Sequence, residues 1–388
     1  MTSNSAKLLS IYIHIPFCVS KCSYCDFFSI PKGCSKNAVP QEYVDCLCNE
    51  IDFRIQSING VQIKTVYIGG GTPSLLSNSQ ISQIVNCLKK YSFYKNYEFT
   101  FEINPDDVNK ALLLHLQEAG INRLSCGIQS FSQNVLKTVH RRADASQNYD
   151  CFSLFKEFWN KKLSIDFISG LPYETEESLI SGLKVAVQNK VPHISLYSLC
   201  VEEETPLGKG ILSNKIEYDQ DFSDALWIKG RDFLLSQGYL QYEVSNFCLP
   251  GNECIHNMTY WTHKDYLGIG SGATGTLYEE MGQSMRYTNS KNIEEYLNYW
   301  KNKRKRSFEK IPQIIECIDK ETSKFEYFMM GLRTSRGISP QEYEKIFKEK
   351  IPVATMEKIK SHCKKSPDGF YYLPQEKLIF LNSFLENL

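Results

Sequence analysis

IYIHIPFCVSKCSYCDFF, residues Ile11 to Phe28, sets three cysteines close together behind an apolar run. Cys18, Cys22 and Cys25 follow C-x3-C-x2-C. Three thiolates this near one another repel and are costly to bury without a cation between them, so soft iron or zinc is the natural tenant. A structural tetrahedral site takes four protein ligands, whereas three leave one position open. An iron–sulfur cluster held by three cysteines leaves one iron free for chemistry. Ile11 to Ile15 alternates as a strand does; Pro16 ends the strand, and Phe17 is placed to shield the metal centre. The competing reading is three ordinary buried cysteines, common enough in protein cores. The strand and proline in front, and Tyr24 and Phe27 among the thiols, weigh against it.

Working outward, the 388 residues exceed one core of ordinary size, so a large α/β domain with a smaller partner is expected. The 44 basic and 44 acidic residues balance, which leaves no electrostatic footprint for nucleic acid. No apolar run reaches spanning length, and MTSNSAKLLS at the start is too short and too polar for a signal peptide. A cytoplasmic protein is the expectation, with 14 cysteines kept reduced rather than paired. Cys34, Cys46, Cys48, Cys87, Cys126, Cys151, Cys200, Cys317 and Cys363 read as small core or surface residues. The 13% aromatic content is consistent with a pocket for a flat ligand.

Strand and helix patterns alternate through the first two hundred residues. Helices are predicted over 41–56, 78–91, 107–119, 134–139, 145–159 and 176–188, and strands over 64–68, 97–103, 123–128, 163–168 and 194–199. That rhythm indicates a parallel sheet of βα units. The fold class is therefore α/β, a partial (βα)6 TIM-type barrel, open or closed, with a smaller and mainly helical C-terminal domain. The expected division is 1–240 for the barrel, 241–290 for a turn-rich bridging segment and 291–388 for the second domain. The pattern weakens from 207 to 221, helices recur at 222–237, 293–299 and 325–332, and a strand pair is expected at 370–373 and 378–381.

Polar residues sit repeatedly just after the strands: the turn Gly69-Gly70-Gly71-Thr72-Pro73-Ser74, Glu102, Gln129, Asp166 and the segment near Cys200. In a βα barrel the ligand site lies at the C-terminal strand ends, so all of these converge on one pocket beside the cysteine loop. Glycines permit close approach of a cofactor and positive φ, and Glu102 suits ribose hydroxyls or an ammonium group. Arg141, beside Arg142, suits a carboxylate. Each alone is as readily a cap or a solvated charge. A second cluster, His256-Asn257-Met258-Thr259-Tyr260-Trp261, offers an imidazole between large aromatics where a flat macrocycle would stack. A lone His is more often structural, and Cys254 is a competing ligand.

The cysteine loop resembles that of the radical S-adenosylmethionine (SAM) superfamily, and Y-x-H-I-P-F-C resembles the branch holding oxygen-independent coproporphyrinogen dehydrogenases (HemN) and heme chaperones (HemW). The resemblance runs from Tyr12 through GIGSGATG at Ile269 to Gly275 and into EYFMMGLR at Glu326 to Arg333. It implies a [4Fe-4S] cluster on Cys18, Cys22 and Cys25. It also implies SAM contacts at Tyr12, Tyr24, Gly70, Gly71, Thr72, Glu102, Gln129, Arg141 and Asp166. HNMTYW resembles the H-N-x-x-Y-W signature of the chaperones and implies heme ligation at His256. The dehydrogenases carry a further cysteine where this chain has Phe27, and an N-terminal extension, whereas seventeen residues precede Cys18. The expected function is therefore heme binding and transfer to an acceptor protein, with an outside reductant for the cluster. SAM-dependent decarboxylation of coproporphyrinogen III and a non-catalytic iron–sulfur module are the alternatives. A homodimer, peripheral membrane contact and the cleavage of SAM stay open.

Overall fold

The computed structural model describes residues 7–33, 38–302 and 306–388. Cys34 and the start of the N-terminal segment, residues 1–6, lie outside the described residues. Strand β1 (Lys7–Ile15) is covered on both faces along most of its length, as a strand inside a parallel sheet must be. Beside it, in chain order, run β2 (Val61–Gly70), β3 (Phe93–Ile103), β4 (Arg123–Gln129), β5 (Lys162–Ser169) and β6 (His193–Ser198), all parallel. The crossovers carry helices α1 (Gln41–Gln56), α2 (Asn78–Leu88), α3 (Lys110–Ala119), α4 (Gln133–Thr138), α5 (Ala145–Phe158) and α6 (Glu176–Gln188). This is the predicted partial barrel.

Local chemistry places the helix starts. Ser77 with Gln80, and Asp144 with Gln147, form capping boxes for α2 and α5. Pro105–Asp107 forms its own short turn, so α3 starts late, capped by the Asn109 side chain, and stops at the left-handed Gly120. The weak stretch near 207 holds α7 (Pro206–Leu212), capped by Thr205, and α8 (Gln220–Ser236) follows.

Every strand of the barrel alternates. Ile11, Ile13, Val66, Ile68, Phe99, Phe101, Leu124 and Cys126 belong to the main apolar core. The intervening residues, including Ser10, Tyr12, Thr65, Tyr67, Glu98, Glu102, Arg123, Ser125 and Asp166, bond to one another or to the segment laid against them. Period-two alternation thus puts apolar side chains under the helices and polar ones inside the barrel.

The sheet also extends past the six parallel strands, which the sequence patterns did not predict. On the β6 side lie β7 (Leu240–Gln241) and β8 (Asn246–Cys248), antiparallel. On the β1 side, β9 (Tyr266–Ile269) pairs parallel, followed by the antiparallel β10 (Thr274–Tyr278), β11 (Ser284–Asn289) and β12 (Gln313–Ile318). These strands are only two to six residues long, so periodicity gives little signal. Between β8 and β9, helix α9 (Ile255–Trp261) crosses the inside of the barrel: Thr259 bonds Ser10 at 2.9 Å and His256 bonds Thr65 at 2.7 Å.

Helix α10 (Ile293–Trp300) buries Tyr296 and Trp300 in the main core. Helices α11 (Lys320–Gly331), α12 (Pro340–Phe347), α13 (Val353–His362) and α14 (Leu381–Glu386) surround a second core built on Tyr327, Tyr343, Phe347 and Ile359. The strand expected at 378–381 is corrected: Gln375–Phe380 is a 3-10 turn running into α14, and 371–372 pairs with 364–365 instead. The short apolar run LIFL is ambiguous by itself, and the second core takes it as helix. Among the described residues no helix is long and apolar enough to cross a membrane.

Candidate cofactor cleft

The cysteine loop leaves β1 at Pro16 and is pinned on several sides. Phe17–Cys18 pairs with Ile30–Pro31, Gly71 N–H donates to Ile15 O at 2.8 Å, and Ser23 N–H donates to Val139 O at 3.0 Å. Cys18 and Cys22 are buried, Cys25 is half-buried, and all three line one cleft of about 500 Å³. Among the described residues no three His, Cys, Asp or Glu side chains converge on a single ion position. A mononuclear tetrahedral site needs that convergence, whereas a multi-iron cluster spreads its thiolates around a larger body.

Around the thiols lie the residues expected to face the ligand. Gly70, Gly71, Thr72, Glu102, Gln129, Arg141, Asp166 and Tyr24 all line the cleft. The glycine turn is bare because nothing else fits. At Gly70 φ is +116°, and a Cβ would meet the His14 ring at 2.6 Å; at Gly71 one would meet Phe17 O at 2.7 Å and Cys18 Sγ at 3.0 Å. Thr72 Oγ1 donates to Cys18 Sγ at 3.4 Å.

Glu102 accepts hydrogen bonds from Tyr67 OH at 2.8 Å and Gly70 N–H at 3.1 Å. Burial nevertheless pushes its carboxyl up to about 7. Asp166 accepts from Ser125 OH at 2.8 Å through one oxygen, and burial raises its pKa as well. The other oxygen, Oδ1, is buried with no partner among the described residues, and so is Arg141 Nε. Arg141 donates to Cys22 Sγ at 3.7 Å and to Asn104 Oδ1 at 2.8 Å, over Gly127, where a Cβ would meet Arg141 Nη2 at 2.9 Å. Its neighbour Arg142 is paired with Asp106 and Asp107. Gln129 sits at φ +65° beside an irregularity in the β4–β5 pairing, a strained placement for a side chain other than glycine.

Unpaired buried donors and acceptors beside three thiols fit a polar, charged ligand lying against an iron–sulfur cluster. Tyr67, Asn104, Ser125 and Tyr197 also line the cleft and were missed in the sequence. The signal available for Tyr67, Ser125 and Tyr197 was their inward position in the strand alternation. Cys200 stands at the rim, exposed, its thiol 3.2 Å from Glu202 Oε1.

Two expected residues lie elsewhere. Tyr12 is not among the residues lining the cleft, its hydroxyl 2.9 Å from His14 Nδ1. His256 is 1% exposed on the inward side of α9, with Nδ1 on Thr65 Oγ1 and Nε2 2.7 Å from Tyr260 OH. Burial depresses its pKa to about 3, so it is a neutral ring with both nitrogens occupied. As placed, it has no free nitrogen for iron. Cys254 is likewise buried, its thiol on Glu98 at 3.4 Å.

Residues 12–184 match the radical SAM superfamily. Proteins named heme chaperone HemW from Buchnera aphidicola (Acyrthosiphon pisum) and from Escherichia coli K12 are each 32% identical to this chain, over 97% of it and 97% of their own lengths. The one from Bacillus subtilis is 34% identical over 69% of this chain and 70% of its own. In fold, the structure described as coproporphyrinogen III oxidase (HemN) from Escherichia coli, a radical SAM enzyme, superposes with a TM-score of 0.79 at 20% identity, covering 98% of this chain and 90% of that one. With its three cysteines over the C-terminal mouth of a six-stranded parallel barrel and full-length relatives above 30% identity, the chain belongs to the radical SAM superfamily, within the family of proteins named heme chaperone HemW.

Proposed function

We propose that this protein holds a [4Fe-4S] cluster on Cys18, Cys22 and Cys25, binds SAM along the glycine turn and carries heme to an acceptor protein, with an outside electron donor serving the cluster. When bound, such a cluster supplies single electrons and an iron with an open coordination position. The chain's own residues bind and orient. Gly70 and Gly71 keep their surface free of side chains, Glu102 and Asp166 offer oxygens to hydroxyl or ammonium donors, and Arg141 sets a positive charge beside Cys22. The observation that carries this reading is the meeting, in one cleft, of three thiols with the unpartnered Asp166 Oδ1 and Arg141 Nε.

Heme as cargo rather than coproporphyrinogen as substrate is favoured by Phe27. This side chain cannot ligate a metal and stands 71% exposed at the cleft, where the dehydrogenases are expected to carry another cysteine. Heme ligation by His256 in this proposal requires Tyr260 to release Nε2. Anaerobic incubation of the reconstituted protein with coproporphyrinogen III, SAM and reductant tests the reading. No protoporphyrinogen is expected, and its formation would overturn the carrier role. Heme titration followed by absorption spectroscopy should show one heme per chain, lost in His256→Ala. Unchanged heme binding in that variant would leave His256 a structural residue.

A further inference from the structure

Away from the cleft, on the outer helical layer, the packing of α1 against α2 brings two cysteines together. Cys87 Sγ lies 3.5 Å from Cys48 O and 3.5 Å from Asp52 Oδ1. Lys90 Nζ lies 3.9 Å from the same sulfur and 2.8 Å from Asp52 Oδ2. The Cys48 side chain is half-buried and Cys87 is buried. Cys46, two residues earlier, is turned the other way, its thiol 3.6 Å from Leu297 O, so it does not compete for either partner.

A thiol pair reacts in sequence when one sulfur is accessible and carries thiolate character, a second waits beside it, and a cation stands nearby. Here Cys48 is the more accessible sulfur, Cys87 waits against it, and Lys90 stands beside the Cys87 sulfur. The contact between the two residues lowers the pKa of Cys48, while the same contact and burial raise that of Cys87. Cys48, the more accessible of the two sulfurs, is the one that meets an oxidant first.

We propose that Cys48 and Cys87 form a reversible redox-modification site, closed into an intramolecular disulfide by low-molecular-weight disulfides of the oxidised-glutathione class. The Cys48 thiolate attacks one sulfur of the oxidant; a mixed disulfide forms, the oxidant's own S–S bond breaks and one half leaves as a thiolate. Cys87 gives up its proton, attacks the Cys48 sulfur and expels the second half. Two protein thiols are oxidised, one small disulfide is reduced to two thiols, and a dithiol reductant reverses the exchange. The bridge ties α1, which follows the cysteine loop, to α2, which follows the glycine turn. It thereby staples together the helices behind the two loops that line the cleft. This site is independent of what the cleft binds.

The test uses the whole chain, reconstituted without oxygen and titrated with oxidised glutathione, with peptide mapping of the products. The expected result is a loss of two hydrogens in mass and a single linked peptide joining Cys48 to Cys87, reversed by a dithiol. Cys87→Ser should stop at a glutathione adduct on Cys48, and Cys48→Ser should leave Cys87 unmodified. Persistence of the adduct in the unsubstituted protein, linkage through other cysteines, or absence of the adduct in Cys87→Ser would each overturn the proposal.

Discussion

Glu102 shows, at the scale of one residue, what the cleft costs. Burial raises its carboxyl to about 7 from the ordinary 4.5, so a group that would be ionised in water is about half neutral at pH 7. A raised carboxyl contributes stability that is fully present below about pH 4.5 and is lost as pH climbs through about 7. The full shift would be worth about 3 kcal/mol, and the open cleft admits water that screens part of it. Glu102→Gln is therefore expected to stabilise the ligand-free protein by about 1–2 kcal/mol at pH 8 and by nothing at pH 4, as read by thermal denaturation at the two pH values. If the carboxylate accepts hydrogen bonds from SAM, calorimetry should show affinity rising as pH passes 7 in the unsubstituted protein. The Gln variant should bind about tenfold more weakly and without that rise.

At the scale of an element, the turn after β2 is held by its lack of side chains. Gly70→Ala would place a methyl group against the His14 ring at a backbone conformation that L side chains rarely adopt. Strain and overpacking together predict a loss of about 2–4 kcal/mol. Because His14 follows Tyr12 on β1 and precedes the cysteine loop, iron and sulfide content after reconstitution should fall in the same variant. Undiminished cluster loading would show that the turn and the loop are not coupled. The triple glycine was legible in the sequence. Its reason was not, since the crowding comes from β1 and β3, distant in sequence, with Glu102 itself 2.8 Å from where a Gly69 Cβ would stand.

The whole molecule is tied together by a carboxylate far from the cleft. Glu50 on α1 accepts from Arg54 Nε at 2.7 Å, Asn289 Nδ2 at 2.8 Å, Gly270 N–H at 2.8 Å and Tyr296 OH at 2.8 Å. Arg54 reaches on to Asn289 and to Gln313 on the edge strand β12. One buried pair thus fastens the first helix to the last strands of the sheet. Arg54→Ala strands the Glu50 charge and is expected to cost about 3–5 kcal/mol, measured by urea denaturation. An apolar replacement of both partners should cost much less, because the desolvation penalty leaves with the charges. A single-site loss below about 1 kcal/mol would mean that water reaches the pair.

The sequence by itself determined the parallel βα core, its helix bounds to within a few residues, and the thiols, glycine turn and carboxylates that share one cleft. Those features are local: strand alternation, caps such as Ser77 and Asp144, and C-x3-C-x2-C are written in neighbouring residues. Only the tertiary structure decided that α9 crosses the barrel interior and closes His256 between Thr65 and Tyr260, that β9 to β12 extend the sheet beyond β1, and that 378–381 turns helical. Each of those outcomes depends on partners between four and about two hundred and fifty residues away. A short segment has no period of its own strong enough to announce which surface will bury it.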